Sequence, residues 1–166
     1  MAPQQTISAR RLAVDILSRI DPKRAYVAPI LDKLLGRTDQ KQRTTDLVFG
    51  TLRNRNAIDT IITTLSGRPV TRIPKHVLNI LRVAVCELTC NPDTPVYSIV
   101  NEAVENAKKL AGARQTGFVN AVLRKITGHI TERKSPLPDD PSTAILPQTP
   151  RTGCLFDTDI LPSFSS

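Results

Sequence analysis

Three cysteines, two histidines and a surplus of arginine are the side chains of this sequence able to do chemistry or to hold a charged partner. Cys86 and Cys90 stand one helical turn apart, but a zinc site needs four ligands at recognisable spacing. Neither a second cysteine pair nor a histidine pair accompanies them. They are read as small apolar helix residues. Cys154 has no His or Asp setting around it in the sequence and is read as a free thiol rather than a nucleophile. His76 and His129 are isolated and lack a nearby acidic partner, so both are read as exposed helix residues. No Gly-rich phosphate loop, paired-carboxylate site or nucleophile motif is found. The chain is therefore expected not to be an enzyme and to use no metal or cofactor.

Charge is the stronger signal. The net charge is +8, and residues 1–128 hold 20 Lys and Arg against 10 Asp and Glu, whereas residues 129–166 hold 3 against 5. A domain with that imbalance suits a polyanion, most often nucleic acid, with a merely solvated positive surface as the alternative. The first candidates are Arg10 and Arg11, expected to face water near the N-terminus, with Arg19, Lys23 and Arg24 extending the same helix end. Arg53, Arg55, Arg68, Arg72 and Lys75 form a second basic area. Arginine combines permanent charge with a planar fork that matches phosphate oxygens. With no Trp, four Phe and two Tyr, few rings are available to stack bases, so sequence preference is expected to be weak without a partner protein.

These cations need helices to position them. After Thr6, taken as an N-cap, Ala9, Ala13, Ile16, Leu17 and Ile20 share one face, and Asp21-Pro22 ends the helix. A second helix is expected from Tyr26 to Leu35, stopped by Gly36. A third, capped by Thr38, runs to Asn54, with Thr45, Val48, Phe49 and Leu52 inward. Gly50 lies inside it, and because a mid-helix glycine costs ~1 kcal/mol against alanine, it marks a close helix crossing. Ile58, Ile61, Ile62 and Leu65 define a fourth helix closed by Gly67 and Pro69. Beyond Pro74, Val77, Ile80, Leu81, Ala84 and Leu88 make a helix apolar enough to be central. Val96 to Leu110 and Thr116 to Ile126 complete seven, the last with Phe118, Val119, Val122 and Ile126 inward. No stretch alternates with period two, so no sheet is expected.

From Ser135 onward, prolines at 136, 138, 141, 147, 150 and 162 prevent a helix. The expected organisation is a helical domain at 6–130 and a Pro-rich, disordered linker or tail at 131–166. In that tail Leu155, Phe156, Ile160 and Leu161 are either a short docking motif or residual sequence. The absence of a secretory signal or a long apolar run points to a cytoplasmic protein with no membrane partner.

Four segments carry a family resemblance: Leu47-Val48-Phe49-Gly50-Thr51-Leu52-Arg53, Asn79-Ile80-Leu81-Arg82-Val83-Ala84, Val100-Asn101-Glu102-Ala103-Val104-Glu105 and Phe118-Val119-Asn120-Ala121-Val122-Leu123-Arg124. In order and spacing, from Ser8 to Ile126, they resemble the NusB/RsmB family. The resemblance implies an all-α bundle of about seven helices in two packed subbundles. It is used either as a free RNA-binding antitermination factor or as the N-terminal domain of an rRNA cytosine-5 methyltransferase of the RsmB/Sun type. The VFGTLR wording and the Pro-rich tail look more like the methyltransferase branch, but the catalytic domain with its cofactor loop is missing here. Thr89-Cys90 resembles the Thr-Cys dipeptide of those enzymes, and its place at a helix end in the wrong domain makes it a coincidence.

The implied role is non-catalytic RNA binding in transcription antitermination or rRNA maturation. The implied partners are rRNA or an rRNA leader, a ribosomal protein, or a separately encoded methyltransferase. A protein-interaction module, or a truncated N-terminal methyltransferase fragment, is the alternative. Asn101, Glu102, Asn120 and Arg124, polar groups on facing helices, are assigned a structural role.

Overall fold

The computed structural model describes residues 6–20 and 26–162. Seven α-helices are present among the described residues: α1 (Ala9–Arg19), α2 (Val27–Leu34), α3 (Lys41–Arg53), α4 (Arg55–Ser66), α5 (Lys75–Cys90), α6 (Val96–Ala111) and α7 (Ala113–His129). Their ends follow from local chemistry. Ser8, rather than the expected Thr6, caps α1 by accepting from the Arg11 N–H at 3.1 Å. Gly67 closes α4 at φ 70°, a left-handed conformation that glycine adopts without strain.

α5 is the centre. All but four of its sixteen residues are buried, including Val77, Ile80, Leu81, Val85 and Leu88. It packs on α1 and α3 on one side and on α4, α6 and α7 on the other, which makes two halves sharing one helix. Gly50 of α3 meets it closely: a Cβ there would sit 3.1 Å from Cys86 Sγ, so the glycine does mark a tight crossing.

The inward face of α3 differs from the expected one. Thr44, Leu47, Val48 and Thr51 are buried, while Phe49 is 39% exposed. The buried face is offset by about one residue, ~100°, from the expected one, and Thr44 is accommodated in it because its hydroxyl donates to the Gln40 carbonyl at 2.9 Å. On α7 the buried set is Val119, Val122, Leu123 and Ile126. Phe118 lies at the edge instead, under the Arg68 guanidinium at 4.6 Å.

The expected disordered tail is corrected. Residues after α7 form a three-stranded antiparallel sheet, β1 (Ile130–Pro136), β2 (Ile145–Pro147) and β3 (Thr152–Phe156), in the order β1-β3-β2. Leu146, Cys154, Phe156 and Ile160 are buried in the same core as the helices. The prolines act as punctuation: Pro136 and Pro147 end the two edge strands, where a missing N–H costs no ladder bond. Gly153, in the central strand, is required by space, since a Cβ would lie 2.6 Å from the Leu146 carbonyl oxygen. His129 also departs from expectation, its Nδ1 lying 2.7 Å from the Asp157 carboxylate just beyond β3.

The sheet holds the end of α5. The ladder between β1 and β3 is irregular between Glu132 and Ser135, and Arg133 falls in that irregularity. Its guanidinium donates to the carbonyls of Leu88 (2.9 Å), Glu87 (3.2 Å), Asn91 (2.8 Å) and Thr94. The Gln148 side-chain amide donates to the Thr89 carbonyl and to that of Arg133. The Leu88 and Thr89 carbonyls in the last turn of α5 thus receive donors from the sheet, the Glu87 carbonyl gains a second donor beside the Asn91 N–H, and a cation sits at the negative end of the helix dipole.

Candidate nucleic-acid interface

The arginines fall into three groups. The first is internal. Arg10 does not face water: its side chain is 12% exposed and its Nε and one Nη clasp both oxygens of Glu87, whose side chain is fully buried, while the other Nη reaches Glu102. Arg43 adds a second cation on Glu87 at 3.1 Å. Burial alone would lower the Arg10 pKa, but the two carboxylates outweigh it and hold the guanidinium above its ordinary value. An arginine committed in this way has no free fork for phosphate. The expectation of a water-facing Arg10 fails because Glu87, the single acid of the central helix, requires a cation.

The second group lines a groove. α1, α3, α4 and the segment leading into α5 enclose a concavity of about 520 Å³, with Leu17, Ile20, Leu52, Val70, Ile73 and Leu78 among its apolar lining and Arg55, Lys75 and Arg82 among its charges. A 3-10 turn at Val70–Arg72 contributes to the same wall and carries Arg72. Arg82 binds Asp59 through two bonds of 2.8 and 2.9 Å, and Arg55 lies 3.8 Å from the same carboxylate. Lys75 and Arg72 are exposed and have no carboxylate partner among the described residues. The groove therefore keeps a positive rim over an apolar floor. Arg82 is the member without a signal in the sequence beyond its place on the polar edge of α5, and Asp59 is its counterpart one helix away.

The rest are scattered. Arg11 is half-buried on α1 with no ion pair among the described residues. Arg19 is exposed and lies 3.5 Å from Asp15, which Arg37 also approaches. Arg53 is separated from Arg55 and Lys75, lining instead the clefts between α3 and the sheet. Lys23 and Arg24 lie outside the described residues. Glu102 is engaged by Arg10. Asn101 and Arg124 are exposed, and Asn120 is half-buried. No helix among the described residues is long and apolar enough to cross a membrane.

Comparison with known proteins places this geometry. Residues 7–128 match the NusB family. The transcription antitermination protein NusB of Geobacter sulfurreducens is 32% identical over 130 residues, covering 75% of this chain and 94% of that protein. Its namesake from Aeromonas salmonicida is 31% identical over 137 residues, covering 80% and 100%. Among solved structures, antitermination factors NusB and NusE in complex with dsRNA give a TM-score of 0.66 at 25% identity, over 72% of this chain and 93% of that one. T. maritima NusB gives 0.65 at 28% identity, over 75% and 93%. With seven helices in the same arrangement and a match spanning most of its length, this chain belongs to the NusB family.

Proposed function

We propose that this protein binds RNA as a non-catalytic factor of transcription antitermination, using the groove rimmed by Arg55, Arg72, Lys75 and Arg82. The observation that carries the reading is the groove itself: Lys75, exposed and without an acidic partner among the described residues, lines it with Arg55 and Arg82 over an apolar floor, and exposed Arg72 lies on the adjoining turn, on a bundle whose relatives include a NusB solved with NusE and dsRNA. Lys75 and Arg72 contact phosphates, Arg82 is held in place by Asp59, and Arg11 and Arg19 extend the positive surface along α1. Lys23 and Arg24, outside the described residues, stay RNA-contact candidates from the sequence alone. Arg53 is the weakest member, since it opens elsewhere. An rRNA leader is the RNA class in view, with a protein of the NusE kind as co-partner.

A role in rRNA maturation beside a separately encoded methyltransferase rests on the VFGTLR segment alone and is the second reading. Residues 6–130 as the RNA-binding unit, with 131–166 as an accessory that caps α5, is the domain organisation that fits both.

The test is the paired variant Arg72→Glu, Lys75→Glu. It is expected to weaken binding to a single-stranded rRNA-leader oligonucleotide, measured by fluorescence anisotropy. The slope of log affinity against log salt should flatten by ~0.7 for each phosphate that is no longer neutralised. Both side chains are exposed, so the midpoint of urea unfolding should hardly move. Unchanged affinity and slope would remove the groove from the RNA site.

A further inference from the structure

Arg55, Lys75 and Arg82 all line the groove between α1, α3, α4 and the segment leading into α5, but the two arginines are not equally free. Arg82 is engaged through all three of its nitrogens. Its Nε and one Nη donate to the two oxygens of Asp59 at 2.8 and 2.9 Å, and its other Nη donates to Asn79 Oδ1 at 3.2 Å. Asn79 is buried, and its amide donates in turn to Ser18 Oγ at 3.0 Å, so that a hydrogen-bonded series from Ser18 to Asp59 ties α1, α5 and α4 together.

Arg55 stands differently. It approaches the same Asp59 carboxylate only to 3.8 Å, makes no hydrogen bond among the described residues, and has a side chain 47% exposed against 12% for Arg82. It is also the first residue of α4, where the helix dipole disfavours a cation, and an arginine four residues ahead of an aspartate is the weaker order for a helical ion pair. Asp59 is absent from the groove lining and lines a separate shallow hollow with Asn56, Thr60, Thr63 and Thr64.

We propose that Asp59 is a positioning residue that decides which arginine of the groove reaches RNA: a phosphate displaces Asp59 from Arg55, while Arg82 stays clasped to Asp59. The inference rests on the RNA reading of the groove. A phosphate offers the Arg55 fork two parallel bonds, which its 3.8 Å approach to Asp59 does not give it. To win Arg82, the same phosphate would have to break two short bonds and leave a half-buried carboxylate without its partner. Asp59 is thus a built-in competitor of RNA at Arg55 and a fixed anchor at Arg82. The groove presents Arg55 and Lys75 to phosphate and keeps Arg82 as part of its wall.

The experiment measures binding of the full chain to a single-stranded rRNA-leader oligonucleotide by fluorescence anisotropy. Arg55→Gln is expected to weaken binding and to flatten the slope of log affinity against log salt by ~0.7, the loss of one phosphate contact. Asp59→Asn leaves Arg82 an acceptor and should tighten binding about two- to fivefold, the range that an exposed ion pair spans. In the Arg55→Gln background the same Asp59→Asn change should give no gain. A general rise in positive charge acts in both backgrounds, whereas competition for Arg55 acts in one. Circular dichroism of each variant establishes that the fold is kept, and a merely structural Asp59 would on replacement leave affinity unchanged or lower it. No gain from Asp59→Asn, a gain that persists beside Arg55→Gln, or an unchanged salt slope in Arg55→Gln would overturn the proposal while Arg72→Glu, Lys75→Glu still weakens binding. If that pair leaves binding unchanged, the groove reading falls and the role of Asp59 falls with it.

Discussion

Replacing Arg10 by methionine is expected to lower the unfolding free energy by about 3–5 kcal/mol. The Glu87 side chain is fully buried and accepts from Arg10 at both oxygens, sharing one of them with Arg43. Removing the arginine leaves a carboxylate in the core with only Arg43, itself 41% exposed, to compensate. For a domain whose total stability lies in the range of about 5–15 kcal/mol, that loss is severe. Urea unfolding followed by circular dichroism reads it directly. The neighbouring Arg11→Met, which breaks no ion pair among the described residues, should change stability by less than about 0.5 kcal/mol. Adding Glu87→Gln to Arg10→Met should recover part of the loss, because the buried charge is then gone as well. A loss of under about 1 kcal/mol for Arg10→Met would mean that the Glu87 site is wet.

Arg133→Met is expected to cost about 3 kcal/mol and to loosen the sheet as a unit. One guanidinium satisfies carbonyls of Glu87, Leu88, Asn91 and Thr94, and methionine offers none of those donors. Bonds to a charged donor are worth about 1.5–3 kcal/mol, and carbonyls left without partners add their own desolvation cost. Arg133→Lys should recover only part of the loss, since a single ammonium cannot span carbonyls that a planar fork reaches together. Amide exchange is the discriminating readout: protection should fall both in 130–156 and in the last turn of α5. Loss confined to the sheet would show that it does not hold the helix.

Most of the helical architecture was legible because apolar spacing is a direct record of burial. α1, α4 and α5 appear with the faces that Ile16, Ile61 and Leu81 announce. Three features were not, each for a physical reason. The face of α3 is misread by one residue because Thr44 and Thr45 both return their hydroxyls to their own helix, so neither carries a local mark of which one is buried. Arg10 carries no local mark of its partner, because Glu87 is 77 residues away; the available clue was a lone carboxylate in a helix otherwise too apolar to tolerate one.

The sheet was missed because its strands are short, two of them end on proline, and the burial of Ile130–Pro136 does not alternate. What proline density excludes is helix, and exclusion of helix is not disorder. The candidate site was legible as composition rather than as place. Of the expected Arg53, Arg55, Arg72 and Lys75 area, Arg55 and Lys75 line one groove, but the turn between α3 and α4 sends Arg53 into a different cleft.

The central claim is that RNA lies along the groove between α1, α3 and the segment leading into α5. Its most direct test is a titration of the isotopically labelled protein with a single-stranded rRNA-leader oligonucleotide, followed residue by residue in amide NMR spectra at low and moderate salt. Shifts should concentrate at Arg55, at 70–75 and at the C-terminal end of α1, and shrink as salt rises. Arg10 and Glu87 should stay in place. Shifts confined to the sheet at 130–156, or none at RNA concentrations that saturate a NusB relative, would contradict the claim.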